Sequence, residues 1–166
     1  MRALVLVAHP CADGFARAAA ARAVAGLERA GHDVDVIDLY ASGFRAAMSR
    51  EERAAYETDE PIVDAQVADH VARLQRAEWL VFVYPTWWSG LPAILKGWLD
   101  RVLVPGVGFV FNARGKVRPG LTHVRRIVGI STYGSPWFFT KLINDNGRRM
   151  LTRTLRSTCG RHTATT

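Results

Sequence analysis

Apolar residues recur along the 166-residue chain in two rhythms. Ala3–Ala8 and Trp79–Tyr84 are nearly unbroken apolar runs, as expected of strands buried on both faces of a sheet. Asp33–Leu39 alternates Val34, Val36 and Leu39 with acids, which predicts a strand nearer a sheet edge. Arg126–Ser131 reads as a fourth strand. Between these runs the spacing turns helical. Phe15–Ala30 is rich in Ala, Leu and Arg and closes on Gly31, a C-terminal cap. Ile62–Ala77 sets Val63, Val67, Val71 and Leu74 on one face. Pro92–Leu103 carries Ile94, Leu95, Trp98, Leu99 and Val102, and Asn146–Cys159 reads as a last helix. Ser49-Arg50-Glu51-Glu52 fits a capping box, so a short helix starts there. Pro105–Thr122 is a glycine-containing excursion.

Strand and helix alternate, which predicts an α/β domain with a parallel sheet covered on both faces. The whole chain, residues 1–166, reads as one domain. Four parallel strands followed by a helix ask for a fifth strand. Thr163–Thr166 is either a stub of that strand or the point where a longer version is cut short.

Composition adds less than the placement of charge. Cys11 and Cys159 are too few for a disulfide framework, which favours a reducing, cytoplasmic setting. No apolar stretch approaches the roughly 20 residues needed to span a bilayer, and the start reads as a strand, not a signal peptide. The net charge of +7 is lopsided. Before Arg114 there are 11 Lys/Arg against 14 Asp/Glu; from Arg114 onward there are 11 against Asp145 alone. A cationic half suits a phosphate-bearing ligand, or is simply a solvated basic face. Nucleic acid would need aromatics interleaved with those cations, and only the region of Trp137 offers any. His32, His70 and His123 lack metal-ligand spacing and read as solvated, so no metal site is expected. Lys96 and Asp100 read as a surface pair, and Trp98 as core or subunit contact.

In an open parallel sheet, ligands bind beyond the carboxyl ends of the strands, where strand order reverses. Three turns therefore matter. His9-Pro10-Cys11-Ala12-Asp13-Gly14-Phe15 leads into a helix whose free amides suit a phosphate; Asp13 would repel one, or serves as N-cap. Tyr84-Pro85-Thr86-Trp87-Trp88-Ser89-Gly90 holds adjacent indoles that cannot both face the core and can stack on a flat ligand. Ser131-Thr132-Tyr133-Gly134-Ser135-Pro136-Trp137 offers hydroxyls and amides to the same place.

From Trp87-Trp88-Ser89-Gly90-Leu91-Pro92-Ala93-Ile94-Leu95-Lys96-Gly97-Trp98 to Val102, the chain resembles the signature of the flavodoxin-like NAD(P)H dehydrogenase (quinone) family. Ala8-His9-Pro10 with Phe15, Gly108-Phe109 and the Ser-Thr-x-Gly after the fourth strand extend the likeness over most of Arg2–Gly147. It implies a flavodoxin-like three-layer sandwich with strand order 2-1-3-4-5, the fifth strand short or missing. It implies a flavin, FAD or FMN, with NAD(P)H as reductant and a quinone or similar flat electrophile as acceptor. Flavin N5 would do the chemistry, with no certain catalytic side chain. His9, Gly14 and Phe15 would hold the phosphate side; Pro85, Thr86, Trp87 and Trp88 the ring; Ser131, Thr132, Tyr133 and Gly134 its polar edge. Trp88, Phe109, Phe111 and Phe139 would line the substrate pocket, in a homodimer with the site at the interface. Partners would otherwise be small molecules, with no nucleic acid and no membrane insertion.

The chain departs from that pattern in places. Gly14 stands where Ser is usual, and Tyr133 replaces a glycine. Phe138 and Phe139 stand where some members place a Tyr and His that handle charge on the reduced flavin. Two other readings share these residues. One is a regulatory flavoprotein docking on a transporter. The other is a phosphatase of the low-molecular-weight type, since Cys11 and Arg17 fit C-x5-R directly after the first strand.

Overall fold

The computed structural model describes residues 1–166. Five strands form one parallel sheet: β1 (Arg2–Val7), β2 (Asp33–Asp38), β3 (Trp79–Pro85), β6 (Arg126–Thr132) and β7 (Ala164–Thr165). Their order is β2-β1-β3-β6-β7, the 2-1-3-4-5 arrangement expected. The fifth strand is a two-residue stub paired only with Arg126 and Ile127. The helices are α1 (Phe15–Arg29), α2 (Arg50–Ala55), α3 (Ala65–Arg76), α4 (Ala93–Val102), α5 (Trp137–Leu142) and α6 (Asn146–Arg149). The last of these runs into a π-helical stretch, Met150–Leu155. No helix is long and apolar enough to cross a membrane.

The period of two sorts each central strand onto two cores. Leu4, Leu6, Leu80, Phe82 and Tyr84 face α3, α4 and the π-helical stretch in the larger cluster. Val5, Val7, Val81 and Val83 face Ala20 of α1 in the smaller one. As the edge strand, β2 is covered on one side of the order only, and Val36 is exposed.

Local signals end α1 and start α2 where expected; besides the π-helical stretch inside the expected Asn146–Cys159 helix, the chain makes three exceptions. The Glu52 amide donates to Ser49 Oγ at 3.1 Å and the Ser49 amide to Glu52 Oε2 at 2.7 Å, a reciprocal cap that starts α2. Gly31, at φ +78°, follows the end of α1 in the left-handed conformation that favours glycine. Ile62 and Val63 fall outside α3, because the Asp64 carboxylate accepts from the Gln66 and Val67 amides and caps the helix there; Val63 is exposed. The excursion at Pro105–Thr122 contains an antiparallel hairpin, β4 (Phe109–Phe111) with β5 (Val117–Pro119). The third exception is α5, a short helix that carries no apolar period.

His70 is not solvated. It is buried, stacks on Phe44 with ring centroids 5.4 Å apart, and accepts from Trp98 Nε1 at 3.2 Å. Burial, more than any charge, holds its pKa below the usual imidazole range. Trp98 is core. Beside them the fully buried Arg101 of α4 meets Glu52 at 2.6 Å and Asp64 at 3.0 Å, and donates to the Arg45 carbonyl at 2.5 Å. One cation thus ties the caps of α2 and α3 to α4. Lys96 and Asp100 pair at 2.6 Å on the surface.

After β3 the chain reverses in two residues. Trp87 and Gly90 exchange backbone hydrogen bonds at 3.3 and 3.0 Å around Trp88 (φ 47°) and Ser89 (φ 60°). Two consecutive left-handed residues define the turn that Asn-Gly normally fills. Here an indole and a serine occupy it, at a backbone cost of about 1 kcal/mol or more each.

Two outcomes are expected in solution. Arg101→Ala removes the buried partner of Glu52, leaving that carboxylate only Arg45 at 3.1 Å and the Ser49 amide, and lowers unfolding free energy by about 3 kcal/mol in urea titrations. Burial pushes Glu52 up, but Arg101 and the Ser49 amide outweigh it and hold the carboxyl low. The Val67 amide, and then Arg101, hold Asp64 low against burial. Both folded values lie below their unfolded ones. Their stabilisation is therefore complete above about pH 5 and lost as pH falls through the depressed values, a slope that calorimetric Tm against pH measures. Separately, Ser89→Gly relieves one left-handed residue and raises stability by about 1 kcal/mol in the same titration.

Candidate functional site

The parallel order brings the carboxyl ends of β1, β3 and β6 to one edge of the sheet, and the turns that follow them adjoin. His9 and Trp87 place their rings 6.5 Å apart, linking the first turn to the second. Thr86 and Ser131 join their hydroxyls at 2.8 Å, and the Thr86 amide donates to the Thr132 carbonyl at 2.8 Å, linking the second to the third.

The first turn presents donors. His9 Nδ1 accepts from the Cys11 amide at 3.1 Å and folds the turn back on itself. Helix α1 starts at Gly14 with no side-chain cap and no acid in its first turn. The N-cap position expected for Asp13 therefore belongs to Gly14. The amides of Gly14, Phe15 and Ala16 find no acceptor within the chain. Over a 15-residue helix they carry the positive end of the dipole toward solvent. A Cβ on Gly14 would stand 3.1 Å from His9 Cε1, so a side chain there would press on His9 and crowd those amides. Phe15 is largely exposed at the rim.

The second and third turns make a cavity of about 210 Å³. Thr86, Trp88 and Ser89 line one side, and Tyr133, Gly134 and Ser135 the other. Trp88 stands wholly in solvent at the mouth, and Trp87 is 42 % exposed, so neither indole serves the core. The amides of Trp88, Ser89, Tyr133 and Gly134 also lack acceptors within the chain. Pro85 is buried as the last residue of β3. Ser131 and Thr132 are half-buried at the end of β6.

Other expected residues lie elsewhere. Phe109 and Phe111 meet edge to face, 5.7 Å apart, and line a separate cavity of about 490 Å³ with Tyr56 and Pro61. Phe139 is partly exposed on α5 and does not line the cavity beside Trp88. Thr140, Ile143 and Asp145 do line it, and sequence reading passed over them. Asp145 had a signal, as the only acid from Arg114 onward.

Asp145 accepts from the Tyr133 hydroxyl at 3.0 Å. Burial and then that hydrogen bond raise the Tyr133 phenol above its usual range, against smaller effects of Thr86 and Arg148. Tyr84, buried below, is pushed higher still by burial. The C-x5-R reading does not assemble. Arg17 is ion-paired with Asp38 at the end of β2, and so is not aimed at an anion beside the exposed Cys11.

A family model described as "Flavodoxin-like fold" matches residues 1–162. The chain is 30 % identical over 149 residues to NAD(P)H dehydrogenase [quinone] 1 of Cavia porcellus, covering 81 % of this chain and 54 % of that protein. It is 32 % identical over 156 residues to ribosyldihydronicotinamide dehydrogenase [quinone] of Pongo abelii, covering 84 % and 67 %. The solved NAD(P)H:quinone oxidoreductase of Methanothermobacter marburgensis superposes with a TM-score of 0.79 at 30 % identity, covering 95 % of this chain and 76 % of that one. The chain spans about half the length of several curated relatives it matches. By its strand order, its indole-bearing turn and these likenesses, the chain belongs to the flavodoxin-like NAD(P)H dehydrogenase (quinone) family.

Proposed function

We propose that the chain is one flavin-binding domain that passes hydride from NAD(P)H, through a bound flavin, to a quinone or similar flat electrophile. One observation carries this reading. Two solvent-facing indoles and seven unpaired amides stand on three adjoining turns at the switch point of the sheet. The relatives named above, quinone-reducing enzymes by name, support it.

The residues present fit such a group. The amides of Gly14, Phe15 and Ala16 suit a phosphate, with His9 ordering their turn. Trp87 and Trp88 suit a flat ring by stacking, with Thr86 beside them on the cavity wall and Pro85 leading into the turn. Ser131, Thr132, Tyr133 and Gly134 bring hydroxyls and amides to its polar edge, where fixed donors stabilise negative charge. When bound, the flavin supplies the hydride-accepting and hydride-donating centre; the chain supplies orientation and donors.

A homodimer completes the reading. A cavity of about 210 Å³ is small against the roughly 300 Å³ or more of most ligand sites. Its surroundings expose Trp88, Trp137, Phe138 and Leu142, an apolar rim suited to a second copy. Phe109 and Phe111 stand apart from the cavity of their own chain and would serve the partner's, with Phe139 joining at the rim. The two free cysteines suit a reducing cytoplasm.

Purified protein mixed with FMN or FAD is expected to take up one flavin per chain, read by fluorescence titration, and chromatography of the flavin released on denaturation names which. Trp88→Ala removes the stacking face and raises Kd about tenfold. A chain that binds neither flavin contradicts the proposal.

A further inference from the structure

One half-buried carboxylate has no structural duty that the fold explains. Asp145 stands in the N-cap position of α6, yet its side chain makes no bond to that helix's amides. It is the only acid from Arg114 onward, among 11 Lys/Arg, and every ion pair of the chain is made by another acid. Its one side-chain partner is the Tyr133 hydroxyl, which donates to Oδ1 at 3.0 Å; Oδ2 takes no donor from the chain. A left-handed backbone (φ 43°) and the Asp145 amide on the Thr140 carbonyl at 3.0 Å hold it in that place.

The place is the wall of the cavity beside Trp88, and Asp145 is the only charged side chain that lines it. Tyr133 gives its one hydroxyl proton to Asp145, so the phenol oxygen has only lone pairs left to offer, and this wall accepts. Two cations of the neighbourhood do not neutralise it. Arg148 acts on the Tyr133 phenol, but it is exposed to screening water and lines a different cavity. Lys141 sits over the Trp137 ring, 4.6 Å from its centre.

We propose that Asp145 sets which electron acceptors the site takes: uncharged or cationic flat electrophiles enter, and anionic ones are turned away by like charge. The proposal rests on the flavin reading above, in which the acceptor stacks on the ring in this cavity. A ring carrying a sulfonate or carboxylate has to bring its charge to a wall with no cation to pair it. Like charges in a partly desolvated cavity repel far more than in bulk water, and a repulsive element of this kind gives specificity. A cationic substituent gains from the same carboxylate. The 11 Lys/Arg of the C-terminal half lie outside the cavity lining, so they attract anionic groups to the surface without admitting them to the ring. Asp145 neither gives nor takes a proton in this role.

Steady-state kinetics on the flavin-loaded protein compare naphthoquinone, naphthoquinonesulfonate and a naphthoquinone bearing a quaternary ammonium, each as kcat/KM. Asn tolerates the left-handed backbone as Asp does, so Asp145→Asn removes the charge and keeps the turn. In that variant the sulfonate-to-uncharged ratio is expected to rise about tenfold, and the ammonium-to-uncharged ratio to fall about as much. Loosened packing does not move the two in opposite directions. A second readout needs no turnover. Reduction adds negative charge to the bound flavin, which a carboxylate beside it opposes, so the midpoint potential read by dye equilibration is expected to shift positive in Asp145→Asn. Ratios that stay at wild-type values or move the same way overturn the assignment and leave flavin binding standing, as does a potential that does not shift positive. A wild-type chain that takes up no flavin overturns both.

Discussion

Parallel pairing of β3 runs without a bulge from Trp79 to Val83 on β1 and from Trp79 to Pro85 on β6, and every group of interest takes its place from that register. Parallel strands all end on the same edge, so the turns after β1, β3 and β6 have to share one space. Because β3 is central and buried on both faces, it cannot slip by one residue without turning Leu80, Phe82 and Tyr84 out of the larger core. The edge is therefore rigid, while the turns on it are free to carry polar and strained backbone.

The chain holds its stability away from that edge. The larger core, and Arg101 with its two carboxylates, lock α2, α3 and α4 on one face. At the edge the balance reverses. Trp88 and Ser89 sit in left-handed conformations, amides stand unpaired in three turns, and Trp88 faces water completely. A monomer that only had to fold would bury that indole and cap α1. Backbone strain and open donors gathered at one place are what a preorganised ligand site looks like before the ligand arrives.

Much of this was legible in the residues. The four main strands and three long helices follow from apolar runs and helical spacing, their order from the family resemblance, and Gly31 and Ser49 mark ends by local rules that need no tertiary contact. The three turns were legible because adjacent indoles between two prolines have no ordinary structural use. What stayed hidden depends on contacts distant in sequence. His70 looks like a surface residue until Trp98 and Phe44 close over it. Asp145 joins the site only through a hydrogen bond spanning the α5 loop. The π-helical stretch has no distinct apolar rhythm, and α5 exposes its aromatics, so neither announces itself.

The central claim is that one planar ligand is gripped at once by three turns separated in sequence. Amide hydrogen exchange read by mass spectrometry, with and without flavin, tests it directly. New protection is expected together in residues 10–16, 86–90 and 132–135, with the hairpin at 105–119 changing only as far as protein concentration changes it. Protection confined to one of those turns, or centred on the cavity beside Tyr56, would contradict the claim.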